Sequence, residues 1–281
     1  MKMVPSVITF LKTGTPQEFQ DVLKLYPVAL QLVKDRTRKK TAPDLLELDK
    51  WYQESLGEEV LSRSLPHLVK EELVRLMTWK LTRGKFRPSL LNFVKSNKEE
   101  AVIEATRDGI KAAQNNNLTS ATTAIMALKG VGPATASAVL AAVVPQYFSF
   151  YADEVAASLP ALKNHKYQLR DYKLLNVEMV DLAHRLNTSE QKNQVETEKW
   201  TPHRVELAVW TYYLLYKHKQ DALTAAAIFT EKGKRSIPEN STFRNWEERE
   251  EEEEGNTGEG NASRKRKKSV DDEPLPKNQN V

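Results

Sequence analysis

The segment Leu128-Lys129-Gly130-Val131-Gly132-Pro133-Ala134-Thr135-Ala136 places a Gly-Val-Gly turn between two short apolar stretches. Glycine accepts backbone angles and close approaches that a Cβ atom hinders. Pro133 stands at the first position of the following helix, where its missing N–H costs nothing. The pattern predicts a first helix that ends at Leu128, a tight turn over 130–132 and a second helix that opens at Pro133.

The backbone amides of this turn and of the second helix start can face a phosphate, and the helix dipole favours the negative charge. Such a contact holds the sugar–phosphate strand and reads no base sequence. Double-stranded DNA is therefore the predicted partner, and the candidate contacts are Lys129, Gly130, Val131, Gly132, Ala134 and Thr135. The alternative interpretation is a plain pair of helices whose glycines serve only to make the turn.

Apolar residues recur at helical spacing along nearly the whole chain, and no convincing run alternates as a strand would. Thr15-Pro16-Gln17-Glu18 has the residues of a capping box and begins a helix that Pro27 breaks or kinks. The segment 82–88 interrupts the helical spacing. One helical face is predicted for Leu65, Leu68, Val69, Leu73, Leu76 and Met77. Further helices are predicted over 98–114, 154–162, 177–187, 202–219 and 221–232, so we expect an all-α domain over residues 1–232.

Composition narrows the possible functions. The chain has no Cys, which excludes disulfides, iron–sulfur clusters and thiolate zinc sites, and its five His lack metal-ligand spacing. We therefore predict no cofactor and no metal. No apolar run reaches the roughly 18 residues that a membrane span needs, so we expect no membrane partner. We also expect the chain to be monomeric.

The net charge of +4 is unevenly distributed. Residues 246–281 hold 7 Lys and Arg against 11 Asp and Glu, a net charge of −4, so residues 1–245 carry +8. A basic globular part with an acidic tail suits a polyanionic ligand. An ordinary solvated surface has the same balance, so charge alone does not decide the partner.

The C-terminal segment over 233–281 differs in kind from the rest. Its acidic run over 247–254 and the Gly, Asn and Ser that follow cannot bury enough apolar area to offset ordering entropy, which predicts disorder. The segment contains a compact basic run made of Arg264, Lys265, Arg266, Lys267 and Lys268. This run predicts nuclear import, and hence a nuclear location, or a nucleic-acid contact. The alternative is a charge-balanced solvated tail.

Three motifs, in order, resemble the helix-hairpin-helix DNA glycosylase superfamily, and together they span roughly residues 118–216. The first is the Gly-Val-Gly turn. The second is Phe150-Tyr151-Ala152-Asp153-Glu154-Val155, which places Asp153 21 residues after Gly132, as in the aspartate loop of that family. The third is Trp200-Thr201-Pro202-His203-Arg204, which with Ala208 and the aromatic run 210–213 is similar to a late helix of alkyl-base and oxoguanine glycosylases.

The resemblance implies a two-lobed helical domain with the hairpin over 119–144, the aspartate loop over 147–155 and the late helix over 200–219. It also implies that Asp153 is catalytic, because a carboxylate beside the sugar stabilises the positive charge that develops when an N-glycosidic bond breaks. The target base must first leave the stack. Asp153 could also be the N-cap of a helix that begins at Glu154, a role that is compatible with catalysis. Glu154 is the weaker catalytic candidate, since we expect its side chain to point away.

The chain departs from the family at three places. Bifunctional members carry a lysine nucleophile two residues past the second glycine, where this chain has Ala134, so we predict no Schiff-base lyase step through that site. Lys129 replaces the usual proline and is interpreted as a phosphate contact. The early Gln or Asn wedge motif corresponds here to Met77-Thr78-Trp79-Lys80-Leu81, which is basic and aromatic and leaves the wedge unidentified.

Further basic and aromatic residues surround these motifs. A dense basic stretch around Gly84, for which we predict a second phosphate contact rather than a solvated loop, consists of Lys80, Arg83, Lys85 and Arg87. Arg204 could reach a phosphate or pair with a local carboxylate. The aromatic residues near the aspartate loop and in the late helix are interpreted as core rather than as a stack for a base; they are Tyr147, Phe148, Phe150, Tyr151, Trp200 and Trp210.

Three functions are compatible with these features. The first is a monofunctional DNA glycosylase that hydrolyses the N-glycosidic bond of a modified base. The second is a catalytically silent glycosylase-like module that docks on DNA or chromatin. The third is an interaction protein whose hairpin contacts another protein. Salt dependence separates the third from the others, because phosphate contacts weaken steeply as the salt concentration rises.

Overall fold

The computed structural model describes residues 4–36, 43–193 and 199–226, and every regular element within these ranges is helical. The all-α prediction is therefore confirmed for this part of the chain. A π-helical turn over Trp51–Ser55 joins two of the helices, and a short 3₁₀ turn covers Pro160–Leu162. The α-helices are α1 (Val7–Thr13), α2 (Pro16–Leu23), α3 (Tyr26–Arg36), α4 (Leu45–Lys50), α5 (Leu56–Leu61), α6 (Lys70–Arg83), α7 (Pro88–Lys95), α8 (Glu99–Gln114), α9 (Leu118–Met126), α10 (Pro133–Val143), α11 (Asp153–Ala156), α12 (Leu169–Asn193), α13 (Pro202–His218) and α14 (Gln220–Ala225).

The core is continuous and is organised around α10 and α13. Helices α1, α2, α3, α11, α12 and α14 pack around α13, which is buried on nearly every side. Helices α5, α6, α8, α9 and α12 pack around α10 in the same way. None of the described helices combines the length and apolar character needed to cross a membrane.

Aromatic residues fill much of this core, as the sequence predicts. Phe10 lies 4.3 Å from Phe19 and 4.1 Å from Tyr212, measured between ring centroids, and both pairs are stacked. The buried aromatic residues include Phe148, Phe150, Tyr151, Trp200 and Trp210. Tyr147 is the exception, because it is 38% exposed at the surface.

The sequence patterns that predict helix ends are correct at two places and slightly displaced at a third. Thr15 and Glu18 form the predicted capping box, with the Thr15 amide donating to Glu18 Oε2 at 2.8 Å and the Glu18 amide donating to Thr15 Oγ1 at 3.3 Å. The break predicted at Pro27 comes earlier, since α2 ends at Leu23 and Pro27 lies in the first turn of α3. The interruption predicted over 82–88 is confirmed between α6 and α7.

Other predicted bounds are corrected. Leu73, Leu76 and Met77 are buried on α6, but this helix begins at Lys70 and Leu65 is 61% exposed. The helix predicted over 154–162 is a single α-turn followed by the 3₁₀ turn, and the one predicted over 177–187 is part of the longer α12. The predictions for 227–281, including disorder and the basic run over 264–268, fall outside the described residues.

A buried polar network joins α6 to α13 and α4 through the core. The Arg83 guanidinium lies 3.4 Å from Glu206 Oε1 and 3.9 Å from the centroid of the Trp210 ring. Asp49 Oδ1 accepts hydrogen bonds from the Tyr26 hydroxyl and from Trp79 Nε1, each at 2.8 Å. Burial by itself lowers the pKa of Arg83, but nearby negative charge, above all that of Glu206, raises it above its ordinary value. Arg83 is therefore a permanently charged core residue that depends on Glu206.

We expect Glu206→Gln to lower the free energy of unfolding by about 3–5 kcal/mol, because it leaves the Arg83 charge buried without its counter-charge. Urea denaturation at neutral pH measures this difference. The matched control is Glu104→Gln on the exposed side of α8, which we expect to change stability by less than about 0.5 kcal/mol. Equal effects of the two substitutions would contradict a role for the Arg83–Glu206 pair.

Candidate nucleic-acid site

A cavity of about 200 Å³ opens mainly between three segments distant in sequence, and Leu90 of α7 and Tyr167 complete its lining. These segments are the end of α6 with the loop that follows it, the turn between α9 and α10, and the loop that leads into α11. Each carries one of the motifs that the sequence singles out. The charged residues that line the cavity are Lys80, Arg83, Lys85, Arg87, Asp153 and Glu154.

The turn over 127–132, called here the glycine turn, uses its two glycines differently. Gly130 has φ +77°, in the left-handed region, and a Cβ there would lie 2.8 Å from Phe93 Cβ and 2.9 Å from the Leu90 carbonyl oxygen. The backbone of the turn is thus pressed against α7, where no side chain fits. Gly132 has an ordinary extended conformation, and no atom lies within 4 Å of the position its Cβ would occupy.

Asn97 holds the glycine turn in place, and the sequence alone did not single it out. Its side-chain Nδ2 donates to the Lys129 carbonyl at 2.9 Å, and its Oδ1 accepts from the Lys129 amide at 2.9 Å. Nδ2 also donates to the Val94 carbonyl at 2.9 Å, which ties the end of α7 to the turn. Asn97 is 32 residues away from its partner, so no local pattern reveals the contact.

Some backbone amides of the turn donate a hydrogen bond within the described chain, and others have no acceptor there. The Val131 amide donates to the Leu128 carbonyl at 3.2 Å, and the Thr135 amide donates to the Gly132 carbonyl at 2.9 Å. Val131 and Thr135 are also buried. Within the described part of the chain, no acceptor is found for the amides of Gly130, Gly132 and Ala134. These three amides are the ones that a phosphate could use, with the exposed Lys129 beside them.

Asp153 lines the same cavity as Gly130 and Gly132. It is the first residue of α11, whose N-cap is Ala152 and has no side-chain cap. The alternative role as an N-cap is therefore wrong. The carboxylate is partly exposed to the cavity and stands near Lys80 and Tyr167, because its charge acts on both of these groups.

Glu154 is also among the residues that line the cavity, although the sequence leads us to expect its side chain to point away from the site. Burial raises the pKa of the Glu154 carboxyl above its ordinary value, although the Arg83 charge opposes the shift. Two neighbouring carboxyl groups thus share one cavity in different surroundings. Asp153 lies near the partly buried Lys80, and Glu154 lies near Arg83.

The basic residues around Gly84 differ in how far they are buried. Lys80 is partly buried in the cavity wall, and burial lowers the pKa of its ammonium group, opposed by the Asp153 charge and reinforced by that of Arg87. Lys85 and Arg87 are exposed on the rim. Arg83 is only 3% exposed and its guanidinium is engaged by Glu206, so the prediction that it contacts a phosphate is corrected.

Arg204 lies away from these groups and is not among the residues that line the cavity. Its Nη2 donates to Gln20 Oε1 at 2.7 Å, and its guanidinium carbon lies 5.0 Å from the centroid of the Trp200 ring. The described contacts of Arg204 thus tie α13 to α2 within the fold. They do not place it with the other predicted phosphate contacts.

Tyr167 forms a wall of the cavity that sequence reasoning missed. Its φ of +56° is in the left-handed region, which is costly for a residue with a side chain. Asp171 Oδ2 supports this conformation by accepting hydrogen bonds from the amides of Lys166 and Gln168, each at 2.9 Å. The Arg87 guanidinium carbon lies 5.0 Å from the centroid of the Tyr167 ring. The loop before α12 therefore holds an aromatic ring against the cavity.

Comparison of the chain with protein-family models, curated proteins and solved structures gave no match. Within the described residues, no group of three or more His, Asp and Glu side chains could hold a metal ion. The interpretation of the site therefore depends on the geometry and charges of its own residues.

We expect Glu154→Gln to stabilise the protein more at pH 8 than at pH 4. A carboxyl group whose pKa is raised by folding contributes full stability below its ordinary pKa of 4.5, and this contribution is lost as the pH rises through the raised value. Glutamine mimics the protonated form and has no such loss. Thermal unfolding of the parent and the variant at the two pH values measures the difference.

The control for this measurement is Glu100→Gln, at an exposed position of α8. An increase in stability of Glu154→Gln that is the same at pH 4 and pH 8 would contradict a raised pKa as its cause.

Proposed function

We propose that this chain binds double-stranded DNA through a helix-hairpin-helix contact at the glycine turn and hydrolyses the N-glycosidic bond of a modified base. One observation carries the proposal. Amides without an acceptor in the described chain, at Gly130, Gly132 and Ala134, and the Asp153 carboxylate line or border one cavity, although they lie about 20 residues apart. A strand held by the turn would bring its sugar to the carboxylate.

The charges around the cavity support a nucleic-acid ligand. Lys85 and Arg87, on the loop after α6, are exposed cations that line the opening, and the exposed Lys129 precedes Gly130 in the turn. Cations on the rim neutralise phosphates, while the turn amides fix the position of the strand. The Arg83 charge contributes little to this attraction, because Glu206 neutralises it in the core.

The proposed reaction uses the cavity for the flipped base and Asp153 for the sugar. As the bond from C1′ to the base nitrogen breaks, its electron pair leaves with the base and positive charge develops on the sugar. The Asp153 carboxylate stabilises this charge. Water then adds its hydroxyl to C1′ and its proton goes to the departing base. The hairpin position at which bifunctional members of the superfamily have their lysine nucleophile is Ala134 in this chain, so no amine stands there.

We expect Gly132→Leu to weaken binding to a duplex oligonucleotide by about tenfold, equivalent to 1.4 kcal/mol. The backbone of Gly132 is extended and the space beside it is empty, so the variant should fold while its side chain covers the neighbouring amides. Fluorescence anisotropy at several salt concentrations measures the affinity. The matched control, Ala127→Leu, adds the same side chain at an exposed position of the turn that does not line the cavity.

Unchanged affinity in Gly132→Leu would show that the hairpin assignment is wrong. An affinity that is insensitive to salt would instead favour a protein partner for this surface.

We expect Asp153→Asn to reduce base release by about 10²-fold or more, because it removes the negative charge that stabilises the sugar in the transition state. Duplex affinity should stay within about twofold, since the phosphate contacts lie elsewhere. A base-release assay on a panel of damaged and mismatched oligonucleotides measures the rate. The control is Asp108→Asn on the exposed surface of α8.

Base release that is unchanged in Asp153→Asn would move the catalytic role to another group. Duplex binding by the parent without release of any base in the panel would support the silent DNA-binding module.

A further inference from the structure

The surface of α7 and of the loop before it exposes aromatic side chains that the core does not cover. Phe86 is 62% exposed and Phe93 is 55% exposed, and both lie in the segment 84–98. The other phenylalanines of the described chain are buried, and they are Phe10, Phe19, Phe148 and Phe150. Single exposed apolar residues are common on protein surfaces. Two exposed phenylalanines in one short segment are a feature of this surface alone within the described residues.

The charges of the segment 84–98 all have the same sign. It contains four Lys or Arg and no Asp or Glu, and the four cations are exposed. They are Lys85, Arg87, Lys95 and Lys98. No carboxylate of the described chain forms an ion pair with any of them. The segment therefore carries positive charge without a local counter-charge, which a polyanion complements.

Phe93 stands where this charged surface meets the glycine turn. Its Cβ atom lies 2.8 Å from the position that a Cβ at Gly130 would take, and the side chain still reaches the solvent. Asn97, in the next turn of chain, binds the backbone of Lys129, which adds a fifth exposed cation. A strand that continues from the glycine turn along α7 would therefore meet an aromatic ring flanked by cations.

We propose that this surface, called here the α7 face and made of residues 84–98 with Lys129, binds a single-stranded DNA segment that adjoins the duplex. Unpaired bases stack on exposed aromatic rings while cations beside the rings neutralise the phosphates. The bases of a duplex are already stacked on one another, so a duplex would use the cations and leave the rings unused. The inference rests on the DNA-binding part of the proposed function and does not depend on base release.

The test measures the affinity of the full chain for three labelled DNA probes by fluorescence anisotropy. One probe is a blunt duplex, and the other two are the same duplex with an oligothymidine extension of about ten nucleotides at a 3′ end or at a 5′ end. We expect at least one extended duplex to bind about tenfold more tightly than the blunt duplex, because a base stacks on Phe93. The ratio of these two affinities is called here the extension preference.

Variants at position 93 separate stacking from apolar contact and from folding. Phe93→Leu keeps apolar bulk and the Cβ atom beside the turn but has no ring, so we expect the extension preference to fall to about twofold or less. Phe93→Trp keeps a flat ring, and we expect its preference to stay within about twofold of the parent value. The matched control is Val177→Ala, which shortens an exposed apolar side chain on α12 and should leave the preference unchanged. Thermal unfolding of each variant checks that it is folded.

A charge variant tests whether the strand follows α7. Lys95→Gln removes one exposed cation from the helix. We expect the slope of log affinity against log salt concentration, measured with the preferred extended duplex, to decrease in magnitude by roughly 0.7–1. An unchanged slope would place the strand away from α7 and overturn the inference.

Equal affinity of the parent for the blunt duplex and for both extended duplexes overturns the single-strand inference alone. The inference also fails if Phe93→Leu keeps the extension preference or Phe93→Trp loses it, because the ring is then not what binds. A parent chain that binds none of the three probes overturns the proposed DNA binding as well.

Discussion

No side chain fits at position 130, and this constraint determines how the candidate site is assembled. Gly130 adopts a left-handed backbone conformation directly against Phe93 and the Leu90 carbonyl, so α7 and the glycine turn approach more closely than a Cβ atom would allow. Asn97 then secures the contact by bonding both the amide and the carbonyl of Lys129. Because α7 follows the basic loop after α6, the same contact brings that loop to the turn.

The cavity also depends on a second contact, since Arg83, one of its lining residues, pairs with Glu206. This pair ties α6 to α13 inside the core, where the Arg83 guanidinium also lies over the Trp210 ring. It fixes the end of α6 and therefore the position of Lys80, one turn earlier on the same helix. A buried ion pair gives little net stability, but it strongly disfavours any packing that separates its members.

These two contacts place groups of opposite charge around one small space. Asp153 and Lys80 face a single cavity whose rim carries further cations and whose wall is closed by Tyr167. In the proposed function the Asp153 carboxylate stabilises the positive charge on the sugar while the base departs.

Much of the fold could be predicted from local sequence. The capping box at Thr15, the turn with its Pro133 and the all-helical pattern depend on neighbouring residues, so they are visible in a single sequence. Asp153, Gly130 and Gly132 line one cavity, which agrees with the roles that the resemblance implies for the first two motifs. The face predicted for Leu65 was wrong, because apolar spacing continues past the true start of α6.

Tertiary structure alone decided the burial of Arg83, the place of Glu154 in the cavity lining, and the contributions of Asn97 and Tyr167. Arg83 looks like its exposed neighbours Lys85 and Arg87 in sequence, and its partner Glu206 is 123 residues away. Local spacing shows which residues can share a helix or a turn. Which charges become buried, and which face a common space, depends on contacts between distant segments that form only when the chain folds.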